Sequence, residues 1–586
     1  MERVASAVCS LLIVASEAFP AGPTTVLAIQ GEAAPGGALF DSFSLPVVDD
    51  NGRVFVQSGL ETPGATVSDS LGIFKFEGDA KTAVFRQGDP TFAGDATVHF
   101  LDSLTISSRG DVAFIPNLVD AAGTSPDVKA IVTPPDDRVE VFVRARVGDA
   151  IRPDEVETIS DFTTVRADRY NVFTFIGTTS NGKSGLFDAS WSGLTTQLAV
   201  TGEPAVGGVG NYTSFNALTV DDSIAFIAGL DRAESNQGVF NGNISSRPGS
   251  VAVVGGTAPG EDGATFSRFH EVEVAGTRNR IAFRASLNTP GGNVENNSGI
   301  WLTSSPTFYQ IARKGDLLEG GPWRLGESEG IALNAGGQVA FFAELHQDTS
   351  ARTDEPDIRR GLLLGALFKE PFVVAKTGDV APGSSGVFGA FDSAIASPSL
   401  NELGQVAFVA RVDDSSGGSA DGRGLFLFDP DLGLLRVAGA GDAIGGGSIA
   451  DLTFEATASK SSDGLGRDGK VAFQFSLDDG RTGIASWEAP DVDTLVPGDA
   501  TLDGIVDLAD FGVLRSNFGQ SGYFTTGDFD LDRDVDLDDF SILRSNFGGA
   551  ASDLAAIDAW AATVPEPGVA AAALFALSCL LRRSRA

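Results

Sequence analysis

Apolar residues along this chain fall in short runs separated by glycine-centred turns, and between residues 25 and 490 the runs repeat about every 60 residues. Each repeat carries an apolar stretch that ends in Gly followed by an acid, as in Val84-Phe85-Arg86-Gln87-Gly88-Asp89. Equivalent pairs are Gly31-Glu32, Gly148-Asp149, Gly202-Glu203, Gly256-Thr257, Gly315-Asp316, Gly378-Asp379 and Gly441-Asp442. A second marker is a polar turn leading into a strand, clearest in Asn401-Glu402-Leu403-Gly404-Gln405-Val406-Ala407-Phe408. Its phenylalanine recurs as Phe55, Phe114, Phe175, Phe226, Phe283, Phe341, Phe408 and Phe473. An Asn that bonds its own backbone, followed by a Gly free to take positive φ, is hairpin chemistry. The strand that follows is apolar on both faces, which predicts a strand sandwiched between sheets. A third marker is Gly before a bulky apolar strand: Gly72-Ile73-Phe74, Gly185-Leu186-Phe187, Gly299-Ile300-Trp301, Gly424-Leu425-Phe426.

With one more strand between the first two markers, each repeat supplies about four strands. Four-stranded units in tandem predict an all-β chain folded as a β-propeller of about eight blades. The strand at residues 26–31 precedes the first complete hairpin, and the eighth unit ends near Trp487 with no successor. It is therefore expected to complete the last blade and cover its edge. An open β-solenoid is the alternative arrangement. The Asn-x-x-Gly-x-x-Ala-Phe recurrence resembles a bacterial group of tandem-repeat proteins with interchangeable C-terminal anchors, a resemblance that implies architecture and surface location but no activity. Several copies depart from it, with Asp49 or Ser107 for Asn and Ser223 or Asn279 for Gly.

The pattern changes after residue 497. Asp499, Thr501, Asp503, Ile505, Asp507 and Asp510 fall at positions 1, 3, 5, 7, 9 and 12 of a calcium loop, with Gly504 at position 6. Twenty-nine residues on, Asp528, Asp530, Asp532, Asp534, Asp536 and Asp539 repeat the spacing, and each loop runs into nearly the same predicted helix. Ca²⁺ takes six to eight hard oxygens, and this spacing wraps a chain around one ion, with position 7 (Ile505, Asp534) offering its backbone carbonyl. Two ions are expected. The duplicated loop and helix resemble a type I dockerin, which implies a cohesin-like partner. Arg533 stands where position 6 is usually Gly, and Leu508-Ala509 and Leu537-Asp538 stand at the positions that help select that partner.

The ends read as addresses. Residues 1–18 have a short charged start, an apolar run and a small-x-small pattern, as in a signal peptide. Val564-Pro565-Glu566-Pro567-Gly568, an apolar run at residues 569–581 and a basic tail resemble the PEP-CTERM sorting signal. That resemblance implies an exosortase, transient anchoring in the inner membrane and delivery to the surface or matrix of a Gram-negative-type bacterium. The run is shorter than the roughly 20 residues that span a bilayer comfortably. The expected organisation is a signal peptide at 1–18, repeats at 25–490, linkers at 491–497 and 550–563, the calcium module at 498–549 and the sorting tail at 564–586. Cys9 and Cys579 both lie in the end segments, so the body of the chain carries no thiol.

Of the 586 residues, 78 are acidic and 41 basic, for a net charge of -37. That surface repels nucleic acid and anionic lipid. The loop module alone holds eleven Asp against three Arg. The only histidines, His99, His270 and His346, share no repeat register, and no nucleophile or phosphate-loop motif is present. Carboxylate pairs for glycoside cleavage need no local motif, so a polysaccharide-degrading enzyme is the alternative expectation. The leading one is a non-catalytic surface or matrix protein whose propeller binds a partner such as an extracellular polysaccharide.

Overall fold

A computed structural model describes residues 24–564 except 62–70, 92–95, 108–111, 121–127, 134–141, 152–156, 169, 171, 191–193, 243–247, 261–262, 277–279, 305–306, 319–320, 348–357, 392–396, 414–421 and 457–462. The segments expected as a signal peptide and, nearly all of it, as a sorting tail lie outside the described residues. Two compact units are present, the repeats and a C-terminal unit that includes residues 490–564.

The repeats form eight antiparallel sheets of four main strands, some with a short extra strand. Blade 3 is representative: Ile159–Ala167, Phe173–Thr179, Ser184–Ala189 and Thr195–Val200 pair in chain order. Blade 8 differs in the way the sequence predicts. Its strands Gly447–Thr453, Lys470–Leu477 and Thr482–Glu488 are completed by Thr25–Ile29 from the start of the repeats, with Thr25 opposite Ser486 and Ile29 opposite Gly483. The ring closes through a shared core in which Val48, Val54 and Phe74 of blade 1 pack with Ala472 and Ile484 of blade 8. The chain is an eight-bladed β-propeller.

The repeat markers acquire physical reasons. The phenylalanine of the second marker stacks on the aromatic of the third across the hairpin: Phe175 on Phe187 and Phe226 on Phe240 at 5.4 Å, Phe408 on Phe426 at 5.7 Å. Such cross-strand pairs are the unit of sheet stabilisation. The third-marker aromatic folds back over the glycine two residues earlier. A Cβ at Gly185 would meet the Phe187 ring at 2.6 Å, and one at Gly424 the Phe426 ring at 2.7 Å. Gly-x-aromatic is thus a space requirement.

The Gly-acid marker is the joint between blades. The Gly88 N–H donates to Val98 O on the next blade's first strand, and Gly148 N–H to Ile159 O. The acid turns back on its own strand: Asp89 accepts from Arg86 N–H at 2.8 Å, Asp149 from Arg146 N–H at 2.7 Å and Asp442 from Gly439 N–H at 2.7 Å. The fifth joint sits one residue earlier than the Gly256-Thr257 reading. Gly255 carries the positive φ of 84° and donates to Phe266 O, while Gly256 fills the acid's place.

The second-marker turns form a polar belt. Asn401 accepts from the Leu403 and Gln405 N–H groups, and its Nδ2 donates to Gly466 O in blade 8 at 3.0 Å. Asn334 likewise donates to Asn401 O at 3.0 Å. Asp221 accepts from Gly276 N–H of blade 5 at 2.7 Å. Arg467 of blade 8 pairs with Asp50 of blade 1 at 3.0 Å and lies 3.9 Å from Asp221 of blade 4, on the opposite side of the ring. This guanidinium braces the turn end of the propeller across its axis.

Candidate metal centre

In the C-terminal unit each loop is tied by its own first and last carboxylates. Asp499 accepts from Asp503 N–H at 3.1 Å and Gly504 N–H at 2.8 Å, and Asp528 accepts from Asp532 and Arg533 N–H, both at 3.1 Å. Asp510 accepts from Thr501 N–H at 2.9 Å and Asp507 N–H at 2.8 Å; Asp539 accepts from Phe529 at 2.6 Å and Asp536 at 2.8 Å. Asp507 and Asp536 N-cap helices α1 (Leu508–Asn517) and α2 (Leu537–Asn546), with Asp510 and Asp539 closing capping boxes. The last three positions of each loop are therefore the first turn of its helix.

The two halves are reciprocal. Gly548 N–H donates to Val506 O of the first loop, and Gly519 N–H to Val535 O of the second, both at 2.8 Å. Gly498 (φ 100°) lies where a Cβ would sit 2.8 Å from Leu543 Cα, and Gly527 (φ 106°) the same distance from Leu514 Cα. These glycines let each loop touch the other half's helix. Positive φ also falls on Leu502 and Leu531 at position 4 of each loop, and on Arg533 at position 6 (φ 82°), whose guanidinium lies 5.7 Å from the Tyr523 ring. Left-handed backbone at a non-glycine costs about 1–2 kcal/mol.

Residues 550–563, expected as a linker, instead carry helix α3, Ala551–Ala561. Ile557 is fully buried, and Trp560 packs edge-on against Phe511 at 5.1 Å and Phe518 at 5.3 Å, and tilted against Phe540 at 5.9 Å. Arg544 holds Asp558 in a two-pronged pair. The polar-alanine composition hides this helix, because its apolar face is reduced to Leu554, Ile557 and Trp560.

The second loop brings carboxylate oxygens together in two overlapping triads, Asp528–Asp530–Asp539 and Asp534–Asp536–Asp539, each within 4.8 Å. Among the described residues no comparable triad forms in the first loop, where Thr501 takes the place of an acid. Asp532 belongs to neither triad, and the Asp534 side chain joins one in addition to the carbonyl expected of its position. Burial pushes the Asp539 carboxyl up to about 6 despite three backbone N–H groups that oppose it. Burial, and then the neighbouring carboxylates, also raise Asp528, Asp530 and Asp534. Asp499 and Asp510 rise chiefly through burial. Crowded anionic oxygens that resist ionisation alone are the donor set a hard divalent cation relieves.

The propeller offers a second polar constellation. Burial pushes the Arg166 guanidinium on blade 3 downward, against the pull of Glu273 on blade 5 and Glu455 on blade 8. Glu455 is raised by burial, and Thr219 of blade 4 donates to Glu273 at 3.3 Å. No local motif marks these residues; what unites them is a place at or just after a first strand, and first strands of adjacent blades meet one another. Of the histidines, His270 bonds Ser286 at 2.7 Å on blade 5, His346 lies 3.3 Å from Glu344 on blade 6, and His99 is on a blade 2 strand.

Residues 21–358 and 369–492 match a family of unknown function, DUF7453. The chain belongs to that family. The DUF7453 match covers the propeller and stops before the two acidic loops. No curated protein matches. Among solved structures the chain is similar to the β-propeller domain of the Trilobed protease from Pyrococcus furiosus (10% identity, 69% of this chain, 100% of that one, TM-score 0.35). It is also similar to the Dos1 propeller (9%, 80% and 96%, TM-score 0.34) and a Penicillium chrysogenum α-L-arabinanase (11%, 80% and 99%, TM-score 0.24). At those scores they add nothing to the sheet order described above.

Proposed function

We propose that this chain is an exported, non-catalytic surface or matrix protein in which a propeller binds a partner and a calcium-dependent, dockerin-like module docks it. The observation that carries the calcium half is the pair of registered acid loops, the second with its carboxylates converged and both with terminal acids that cap a helix. Asp499, Thr501, Asp503, Asp507 and Asp510 would hold one ion with the Ile505 carbonyl, and Asp528, Asp530, Asp532, Asp536 and Asp539 a second with Asp534. A bound ion would supply charge neutralisation, while Asp507 with Asp510 and Asp536 with Asp539 supply the helix caps. Export and sorting by an exosortase rest on the end segments, an extracellular polysaccharide on the propeller surface, and a cohesin-like protein on the paired loops.

Calorimetry on the full chain tests the module. Two Ca²⁺ ions should bind, falling to one in Asp510→Asn and one in Asp539→Asn. Absence of Ca²⁺ binding by the unsubstituted chain would end the reading. The enzymatic alternative has one observation in its favour, the raised Glu455 near Arg166 and Glu273. Turnover of a polysaccharide that disappears in Glu455→Gln would establish it over the binding reading.

A further inference from the structure

Comparison of the eight blades with one another singles out blade 7. At the position two before each joint glycine, the other blades carry Ile29, Arg86, Arg146, Val200, Val253, Arg313 or Lys376. Blade 7 has Gly439. On the neighbouring strand, two before the third-marker glycine, blades 3, 4, 5, 6 and 8 carry Lys183, Asn236, Asn297, Arg359 and Arg481. Blade 7 has Gly422, and a Cβ there would come within 2.5 Å of Ala440 Cβ. Two side chains that the other blades carry are missing together, and the Arg436 guanidinium lies over Gly439, where a Cβ would meet Nη2 at 2.5 Å.

Beside these glycines is a cleft of about 350 Å³ lined by Gly422, Gly439, Ser384, Ser385, Arg423 and Arg436 among others. Both charged lining residues are cationic, in a chain of net charge -37. Their carboxylate partners, Asp442 at 2.9 Å from Arg436 and Asp451 at 3.2 Å from Arg423, stand outside the lining. Arg436 also donates from Nη1 to Gly383 O at 3.3 Å, but its Nε is buried with no hydrogen-bond partner. In blades 3 and 5 the residue equivalent to Arg436 is Gln197 or Gln310, which satisfies its amide on the joint acid, Glu203 at 2.9 Å or Asp316 at 3.1 Å. Blade 7 thus replaces a neutral amide with a guanidinium that keeps the joint acid as a partner and also lines an open space. A guanidinium lining an open cleft suits an acceptor oxygen, the charge-assisted partner that arginine takes most strongly.

We propose that this cleft binds an anionic sugar residue, its carboxylate accepting from Arg436 and Arg423 and its ring lying against the glycine-lined wall. The volume suits roughly one or two sugar rings. This names the site and charge of the polysaccharide in the binding reading above and rests on that reading for the source of the ligand.

The test is calorimetry on the full chain with tri-galacturonate, maltotriose, sodium acetate and sodium sulfate. Tri-galacturonate should bind, maltotriose should not, and acetate should compete weakly. Two variants are borrowed from the protein's own blades: Gly439→Arg places an arginine as in blades 1, 2 and 5 and displaces the Arg436 guanidinium, which its Cβ would meet at 2.5 Å, and Arg436→Gln restores the blade 3 and 5 arrangement. Each should weaken tri-galacturonate at least tenfold at an unchanged unfolding midpoint. Equal binding of maltotriose, tighter binding of sulfate than of the uronate, unchanged affinity in both variants, or no binding of any probe would each overturn the proposal. Retention of extracellular polysaccharide by Gly439→Arg as strongly as by the unsubstituted chain would sink the cleft while leaving the broader binding reading intact.

Discussion

At the residue scale, the repeats provide their own controls. Asp168 stands where blades 6 and 7 have Asn334 and Asn401, whose amides donate to the next blade. A carboxylate cannot donate: Asp168 accepts from the Tyr170 and Val172 N–H groups through Oδ1, while Oδ2 is buried with no hydrogen-bond partner. Burial first, and the carboxylates of Asp188 and Asp222 after it, push Asp168 from 3.8 to about 6. A folded value above the unfolded one means that the folded chain keeps a proton the unfolded chain has released between about pH 4 and 6. The residue therefore costs nothing below that window and most above it, on the order of 3 kcal/mol. Asp168→Asn should stabilise the propeller by roughly 1–3 kcal/mol at pH 7.5, with the gain shrinking towards zero near pH 4. Thermal unfolding of both chains across that range measures it, and a pH-independent difference would refute the assignment. Phe368 is a second local misfit. It is 82% exposed at φ 62° in the two-residue turn before Lys369–Lys376, its ring edge-on to Tyr309 at 5.1 Å. Asn accepts that backbone more readily, so Phe368→Asn should raise stability by about 0.5–1 kcal/mol in the same assay.

At the element scale, the legible features were those with a local cause. A strand that ends in a turn glycine, an aromatic that needs a glycine beneath it, and acids that tie a loop and cap its helix each leave a trace within a few residues of themselves. Features created by neighbours in space left none. The blade 7 cleft is an absence on two strands, Arg166 meets Glu273 and Glu455 only through ring closure, and α3 is helical because Trp560 has the ends of two other helices to cover. The fifth joint misled because Gly255 and Gly256 are both glycine, and only the backbone tells which one turns. Trp560 also gives the loop module a reporter, since its ring touches residues of both helices that the loops cap. Ca²⁺ added to the full chain should change the emission attributable to Trp560, obtained as the difference from Trp560→Phe. Because the halves exchange backbone bonds at Gly519 and Gly548, Asp539→Asn should also weaken the first loop's Ca²⁺ affinity. An unchanged first-site affinity would mean that the halves bind independently.

At the scale of the whole molecule, the question is how a ring of similar blades avoids both an open edge and a slipped register. Seven blades are continuous in sequence, so nothing but the eighth can decide where the ring begins. Thr25–Ile29 decides it by pairing with Thr482–Glu488, some 450 residues away, and by burying Leu27, Ala28 and Ile29. Gln30 N–H donates to Thr482 O, and Gly31 N–H to Phe40 O in blade 1, so the closing strand is tied to both sides of the seam. Two large side chains at about 1.5–3 kcal/mol each make this strand worth roughly 3–6 kcal/mol before its loop-closure entropy is counted. Deleting residues 24–30 should remove most of that and leave Thr482–Glu488 as an exposed, apolar edge that recruits other chains. The expected result is a lower propeller unfolding midpoint and concentration-dependent association in sedimentation, both reversed by a synthetic peptide of residues 24–31. A monomeric deletion variant that unfolds at the original midpoint would show that packing between blades 1 and 8 holds the ring without the strand. The pairing register argues against that outcome, because the bulge between Val26 and Ala28 fits this strand to its partner residue by residue.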